Sequence, residues 1–194
     1  MKLDDWKEFL AKWQSSLYAQ YKSKQKAWEY MGLPDISTLE VQEPDLGGVD
    51  QIIGSGSMTS KNEIVRFYRV TNGWPLWLGE YCVSICQVAK LDLFQHRSPG
   101  SFEIAVENAA EQRIVSSNDT LLSVSDFRGA LMFSEPVDAR EILLLLPDGA
   151  ICFYQFSSMN LFSGFDEFMR EMYGRVIREV EELIQIYESG WRKE

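Results

Sequence analysis

The chain has 194 residues, 45% of them hydrophobic and 13% aromatic, with six tryptophans; this argues against disorder and for one domain around one sizeable core. Its formal net charge of −10 and pI near 4.7 repel nucleic acid and anionic membrane surfaces and favour basic partners. No apolar run approaches the roughly 20 residues of a membrane-spanning helix, the longest in the second half being Ile142 to Leu146.

At the N-terminus, Leu3, Trp6, Leu10, Trp13, Leu17, Tyr21, Trp28 and Met31 recur at three- and four-residue steps, which predicts one long helix ended by Gly32 and Pro34. The stripe is either a docking face or a face on the domain's own core; the core reading is the expectation. Asp4 and Asp5 stand where a secretory leader would be basic and then apolar, so the chain is expected to be cytoplasmic. The first 30 residues hold six lysines against four acidic residues, which leaves −12 on the remainder. Residues 32–59 are acidic and Gly/Ser-bearing without a visible period, and read as a flexible loop.

Ser60 and Glu63 have the spacing of a capping box, and Ile64, Phe67, Tyr68 and Thr71 then fall on one helical face. Asn72-Gly73 tolerates a left-handed cap and Pro75 forbids continuation. Tyr81–Cys86 alternates as a strand; Cys82 and Cys86 on one face of it would lie about 13 Å apart, too far to bond. With an odd total of three, the cysteines read as reduced, small apolar fillers.

Gln87–Phe94 is ambiguous between strand and short helix. Ser98–Ser101 reads as a turn, Phe102–Val115 as a helix, and Leu121–Ser125 and Ala130–Phe133 as short strands. Two apolar runs around Pro147-Asp148-Gly149 predict a hairpin from Glu141 to Phe156. A C-terminal helix carries Phe165, Phe168, Met169, Met172, Val176, Val180, Leu183, Ile184 and Tyr187 inward, with Asp166–Arg170, Glu171–Arg175 and Arg178–Glu182 as outer pairs. Helices bracketing antiparallel strands make an α+β domain: an antiparallel or mixed sheet flanked by helices, long ones at both ends. The expected layout is a helical extension at 1–31, the loop at 32–59 and the α+β domain at 60–194, the extension and the domain forming one globular unit.

Chemistry-bearing patterns are sparse. The single histidine, His96, lies in a polar stretch and reads as a surface residue, with no nucleophile elbow around any serine. Cys82, Cys86 and His96 lack zinc-site spacing, and Gly54-Ser55-Gly56-Ser57 lacks the lysine of a phosphate loop. No catalytic, metal-binding or cofactor-binding residue is therefore expected. Glu103, Glu107 and Glu111 recur at i,i+4, a spacing at which like charges cost an isolated helix about 0.2–0.5 kcal/mol per pair. Glu103 is expected to recover some of this near the positive end of the helix dipole. Such a ridge either meets a basic partner or is an ordinary solvated face of an acidic protein.

The stretch Phe67-Tyr68-Arg69-Val70-Thr71-Asn72-Gly73-Trp74-Pro75 resembles the "…FYR..NGW" signature helix of the SUKH (Smi/Knr-like) superfamily. In that superfamily a sheet follows, then a strand turning into an aromatic-rich strand, then an "SF.EFM" helix. Leu143–Gly149, Cys152–Phe156 and Gly164–Met169 are similar to those parts. The resemblance covers residues 60–173. The usual "LP..Y" lead-in is absent, Ile52-Ile53-Gly54-Ser55 standing nearby instead.

Membership would imply a non-catalytic binding domain. Bacterial members look predominantly like immunity proteins against polymorphic toxins, and fungal members are regulators of cell-wall synthesis. The first expectation is thus an immunity protein that neutralises a cognate toxin, a nuclease being the kind whose basic surface suits the charge. The alternative is a regulatory or scaffold module recruiting partners through its aromatic N-terminal helix; a small hydrolase or ligand-binding protein is a third, weaker reading. Glu103, Glu107, Glu111, Trp74 and Trp77 are the candidate partner contacts. Aromatic helices at both ends leave a homodimer open.

Overall fold

The computed structural model describes residues 1–33, 35–56, 58, 62–76, 84–111, 121–135, 141–155 and 158–190. The molecule is α+β, as the element pattern implied, with antiparallel sheets flanked by helices and long helices at both ends.

The N-terminal stripe forms α1 (Leu3–Ser23), and a break at Lys24 (φ −131°) separates it from α2 (Gln25–Tyr30). The single helix expected through Met31 is therefore two. Trp6, Leu10, Trp13 and Leu17 are fully buried in the core that also takes α4 (Glu63–Tyr68) and α8 (Phe165–Glu188), so the stripe is a core face. It is no detached extension.

Residues 32–59 are not simply a loop. They contain a 3-10 turn (Ile36–Thr38) and a helix, α3 (Leu46–Gly54), begun by Asp45, whose carboxylate accepts from Gly48 N at 2.9 Å. A Cβ on Gly48 would meet Asp45 Oδ2 at 2.6 Å and Val88 Cγ1 at 2.8 Å, so glycine is what lets the cap and Val88 close over that turn. Capping and packing here outweigh poor helix propensity.

Ser60 lies outside the described residues. Helix α4 begins at Glu63 with Asn62 as its cap, Asn62 Oδ1 accepting from Ile64 N at 3.2 Å. The Glu63 carboxylate instead takes the Met1 ammonium (2.5 Å) and the backbone N–H of Asp166 (3.1 Å), joining the starts of α1, α4 and α8. Past α4, buried Thr71 donates to Gly73 O, and Gly73 turns at φ +107° with Ile85 O only 2.8 Å from where a Cβ would stand.

Strands β1 (Trp74–Pro75), β2 (Ser84–Ile85) and β5 (Ser134–Glu135) form a small antiparallel sheet in the order β1-β2-β5. Only Ser84 and Ile85 of the predicted 81–86 strand are paired, residues 81–83 and Cys82 with them lying outside the described set. The ambiguous 87–94 segment is a 3-10 turn (Val88–Lys90) followed by strand β3 (Asp92–Leu93). The turn expected at 98–101 is the start of a helix: α5 (Phe94–Arg97) is followed directly by α6 (Pro99–Ala110), with Pro99 at the first position, where its missing N–H costs nothing. The strand expected at 121–125 is also corrected. Ser123 and Asp126 form a capping box, and α7 (Val124–Arg128) follows.

The main sheet is antiparallel, in the order β3-β4-β6-β7-β8, with β4 (Leu131–Met132), β6 (Glu141–Leu145), β7 (Ile151–Gln155) and β8 (Ser158–Phe162). The hairpin matches expectation, Leu143 facing Phe153 and Leu144 facing Cys152 across it, with Gly149 at φ +94°. Strand β8 has no counterpart in the sequence reading. Leu143, Leu145, Ile151 and Phe153 face α1, α4 and α8, while Ile142, Leu144, Cys152 and Tyr154 face α5–α7. Burial on both faces accounts for the unbroken apolar run in β6. On α8 two outer pairs differ from those predicted, Arg175 binding Glu179 at 2.8 Å and Arg178 approaching Glu171 at 3.6 Å, while Asp166 and Arg170 do interact.

Candidate functional site

Helix α6 buries Ser101, Ala105 and Ala109 and turns Glu103, Ile104, Glu107 and Glu111 to solvent, Ile104 being 41% exposed. The three glutamates thus share one exposed face. Because the helix begins at Pro99, Glu103 is its fifth residue, beyond the first turn where the dipole favours an anion, and Glu111 closes the helix at the end where the dipole opposes one. The dipole compensation expected at Glu103 is absent. The ridge therefore holds its like charges without that local relief.

Trp74 is not on this surface. It is 1% exposed in β1 and lies edge-on to Trp13, with ring centroids 5.9 Å apart, so it is a core residue. Trp77 lies outside the described residues.

His96 is exposed in α5, its Nδ1 3.2 Å from Asp92 Oδ1, as a surface residue should be. The other polar cluster near it is half-buried, and sequence reasoning missed it. Arg97 reaches inward and donates to Ser134 O (3.0 Å), Met132 O (3.3 Å) and Cys86 Sγ (3.4 Å), while Tyr68 Oη donates to Cys86 O at 2.9 Å. Burial pushes the Cys86 thiol above its ordinary range against the opposing pull of Arg97, and burial pushes Tyr68 up as well. A protonated thiol shielded from solvent is a poor nucleophile. The cluster clamps the two sheets together, and its partners are so far apart in sequence that no local spacing signals it.

Two open grooves flank the start of α8. One, of about 420 Å³, is lined by Asn62, Glu63, Gly149 and residues 163–166, beside the Met1–Glu63 pair. The other, of about 380 Å³, lies between Leu161 and Phe162 on β8 and Glu167, Arg170 and Glu171 on α8. Among the described residues, no three Cys, His, Asp or Glu side chains are grouped to hold a metal ion, and no helix is long and apolar enough to cross a membrane.

What the described surface offers a ligand is charge and open grooves. Comparison with protein-family models, with curated proteins and with solved structures finds no match to this chain.

Proposed function

We propose that this protein is a non-catalytic, cytoplasmic protein-binding domain that acts as an immunity protein, neutralising a cognate toxin by covering its active site or an adjacent surface. The observation that carries the reading is the exposed acidic face of α6, Glu103, Glu107 and Glu111, on a chain of net charge −10. An acidic face of this kind accelerates encounter with a basic surface and fits a nuclease, whose substrate-binding face is basic. The resemblance of residues 60–173 to the SUKH superfamily supports the same reading. The alternative, recruitment through the aromatic N-terminal helix, would have to use outer residues such as Tyr18, because Trp6 and Trp13 are in the core.

The test is direct. The toxic C-terminal domain encoded by the neighbouring gene should bind the purified protein, and co-expression should rescue cells from it. The Glu107→Lys/Glu111→Lys variant should slow association by about tenfold at low salt, with the difference shrinking as salt rises. Failure of the wild-type protein to bind that domain refutes the reading; an unchanged association rate retires the ridge.

A further inference from the structure

Strand β8 is an edge of the five-stranded sheet: it pairs with β7, and among the described residues nothing pairs with its other side. In an antiparallel ladder, alternate residues of an edge strand turn their N–H and C=O groups outward, where they template another strand. Folded proteins ordinarily blunt such an edge with charge, proline or a bulge. Here the strand itself carries none of these, and α8 beside it leaves an open groove. Residues 149–165 contain no Asp, Glu, Lys, Arg or Pro, in a chain that is 25% charged.

Helix α8 also runs beside β8. Phe162 packs against Phe168 of α8 (ring centroids 5.3 Å), and the 380 Å³ groove runs between Leu161 and Phe162 on one side and Glu167, Arg170 and Glu171 on the other. A free strand edge alongside a helix is the arrangement that takes up an extended peptide by strand addition. The helix wall carries two carboxylates, Glu167 and Glu171, with Arg170 between them and Arg178 3.6 Å from Glu171. Glu167 is fixed in place, its Oε2 accepting from both Ser163 N (2.7 Å) and Ser163 Oγ (2.5 Å).

We propose that the groove between the free edge of β8 and the first turns of α8 receives an extended, basic segment of the partner protein, which joins the sheet as a sixth strand. This inference rests on the partner-binding reading above and adds where and how the partner is held. Charge selects the occupant. A second copy would bring another body of charge −10 to the same groove, whereas a segment alternating basic and apolar residues meets an acidic body, the Glu167 and Glu171 carboxylates and the strand edge together.

The experiment uses the full chain, isotope-labelled for amide detection, and a capped seven-residue peptide alternating lysine with valine. Binding should slow amide exchange of the outward-facing residues within 158–162 by about tenfold or more. N-methylating alternate residues of the peptide provides the discriminating control. One methylated set should weaken binding about tenfold and the other leave it unchanged, since only one edge of the added strand bonds to β8. Replacing the lysines by glutamates should also weaken it about tenfold.

Unchanged exchange at 158–162 with about 1 mM peptide overturns the inference, as does equal loss with both methylated sets. Protection of β8 that grows with protein concentration in the absence of peptide overturns it in favour of a second copy. The two proposals separate cleanly. A toxin domain that binds while β8 exchanges as in the free protein removes the groove and leaves the function; a peptide that protects β8 when the toxin domain does not bind does the reverse.

Discussion

Truncating Trp13 to alanine measures whether α1 belongs to the fold. Trp13 is fully buried, and its ring centroid lies 5.9 Å from Phe9, 5.9 Å from Trp74 and 5.5 Å from Tyr173, so one side chain joins α1, β1 and α8. The surrounding rings are held by each other as well, Phe9 standing 5.8 Å from Tyr173, which limits collapse into the space left behind. Truncations of this kind cost about 3–5 kcal/mol, a fifth or more of the roughly 5–15 kcal/mol that stabilises a typical domain. With a urea dependence of about 1–3 kcal/mol per molar, the midpoint should fall by more than about 1 M. Far-UV circular dichroism is the probe, because the substitution removes a fluorophore. Trp13→Phe is the companion. It keeps the ring contacts and deletes an indole N–H that has no acceptor among the described residues, a buried orphan of the sort that costs about 1–3 kcal/mol. That relief offsets much of the lost area, so Trp13→Phe should cost far less than Trp13→Ala. A loss below about 1 kcal/mol for Trp13→Ala would mean that α1 is an appendage after all. Equal losses for the two variants would mean that the indole N–H has a partner.

Ser134→Ala should cost about 1–3 kcal/mol in the same assay, because Ser134 Oγ accepts from the buried Leu143 N–H at 3.0 Å and joins the two sheets there; a loss within a few tenths would refute that role. Gly73→Ala combines a φ of +107° with a Cβ 2.8 Å from Ile85 O, and should cost more than the roughly 1 kcal/mol of an ordinary glycine replacement. Burial raises the Cys86 and Cys152 thiols and the Tyr68 phenol above their ordinary values of 9.0 and 10.0. Folded and unfolded chains both keep these protons below about pH 9, so that contribution is then fully present. Above it the unfolded chain ionises first, and denaturation midpoints measured from pH 8 to 11 should fall as pH rises. A flat profile across that range would contradict the buried placement of these groups.

The long amphipathic elements were legible because burial of one face repeats with the helix period. The stripe on α1 and the inner residues of α8 read directly as core, and the β6–β7 hairpin showed itself through its Pro-Asp-Gly turn. Short elements were not. Helix α7 has five residues, too few for a period, and depends on the Ser123–Asp126 capping box. Helix α3 carries Gly47 and Gly48 in its first turn and is held by Asp45 and by packing on Val88. Strand β8, Ser-Met-Asn-Leu-Phe, alternates over only four residues before Phe162 breaks the pattern, too short a run to read alone, and its pairing with β7 defines it.

The candidate surface divides in the same way. The i,i+4 spacing of Glu103, Glu107 and Glu111 already placed them on one face, since that follows from helix geometry alone. Whether Trp74 faced a partner or the core was beyond local inference, because its neighbour Trp13 lies 61 residues earlier in the chain. Periodicity, charge and turn chemistry are properties of neighbouring residues, and they determined the fold class, the acidic character and the two terminal helices. The Arg97 clamp, the burial of Trp74 and the open edge of β8 depend on which distant segments meet, and only the packed chain decides that.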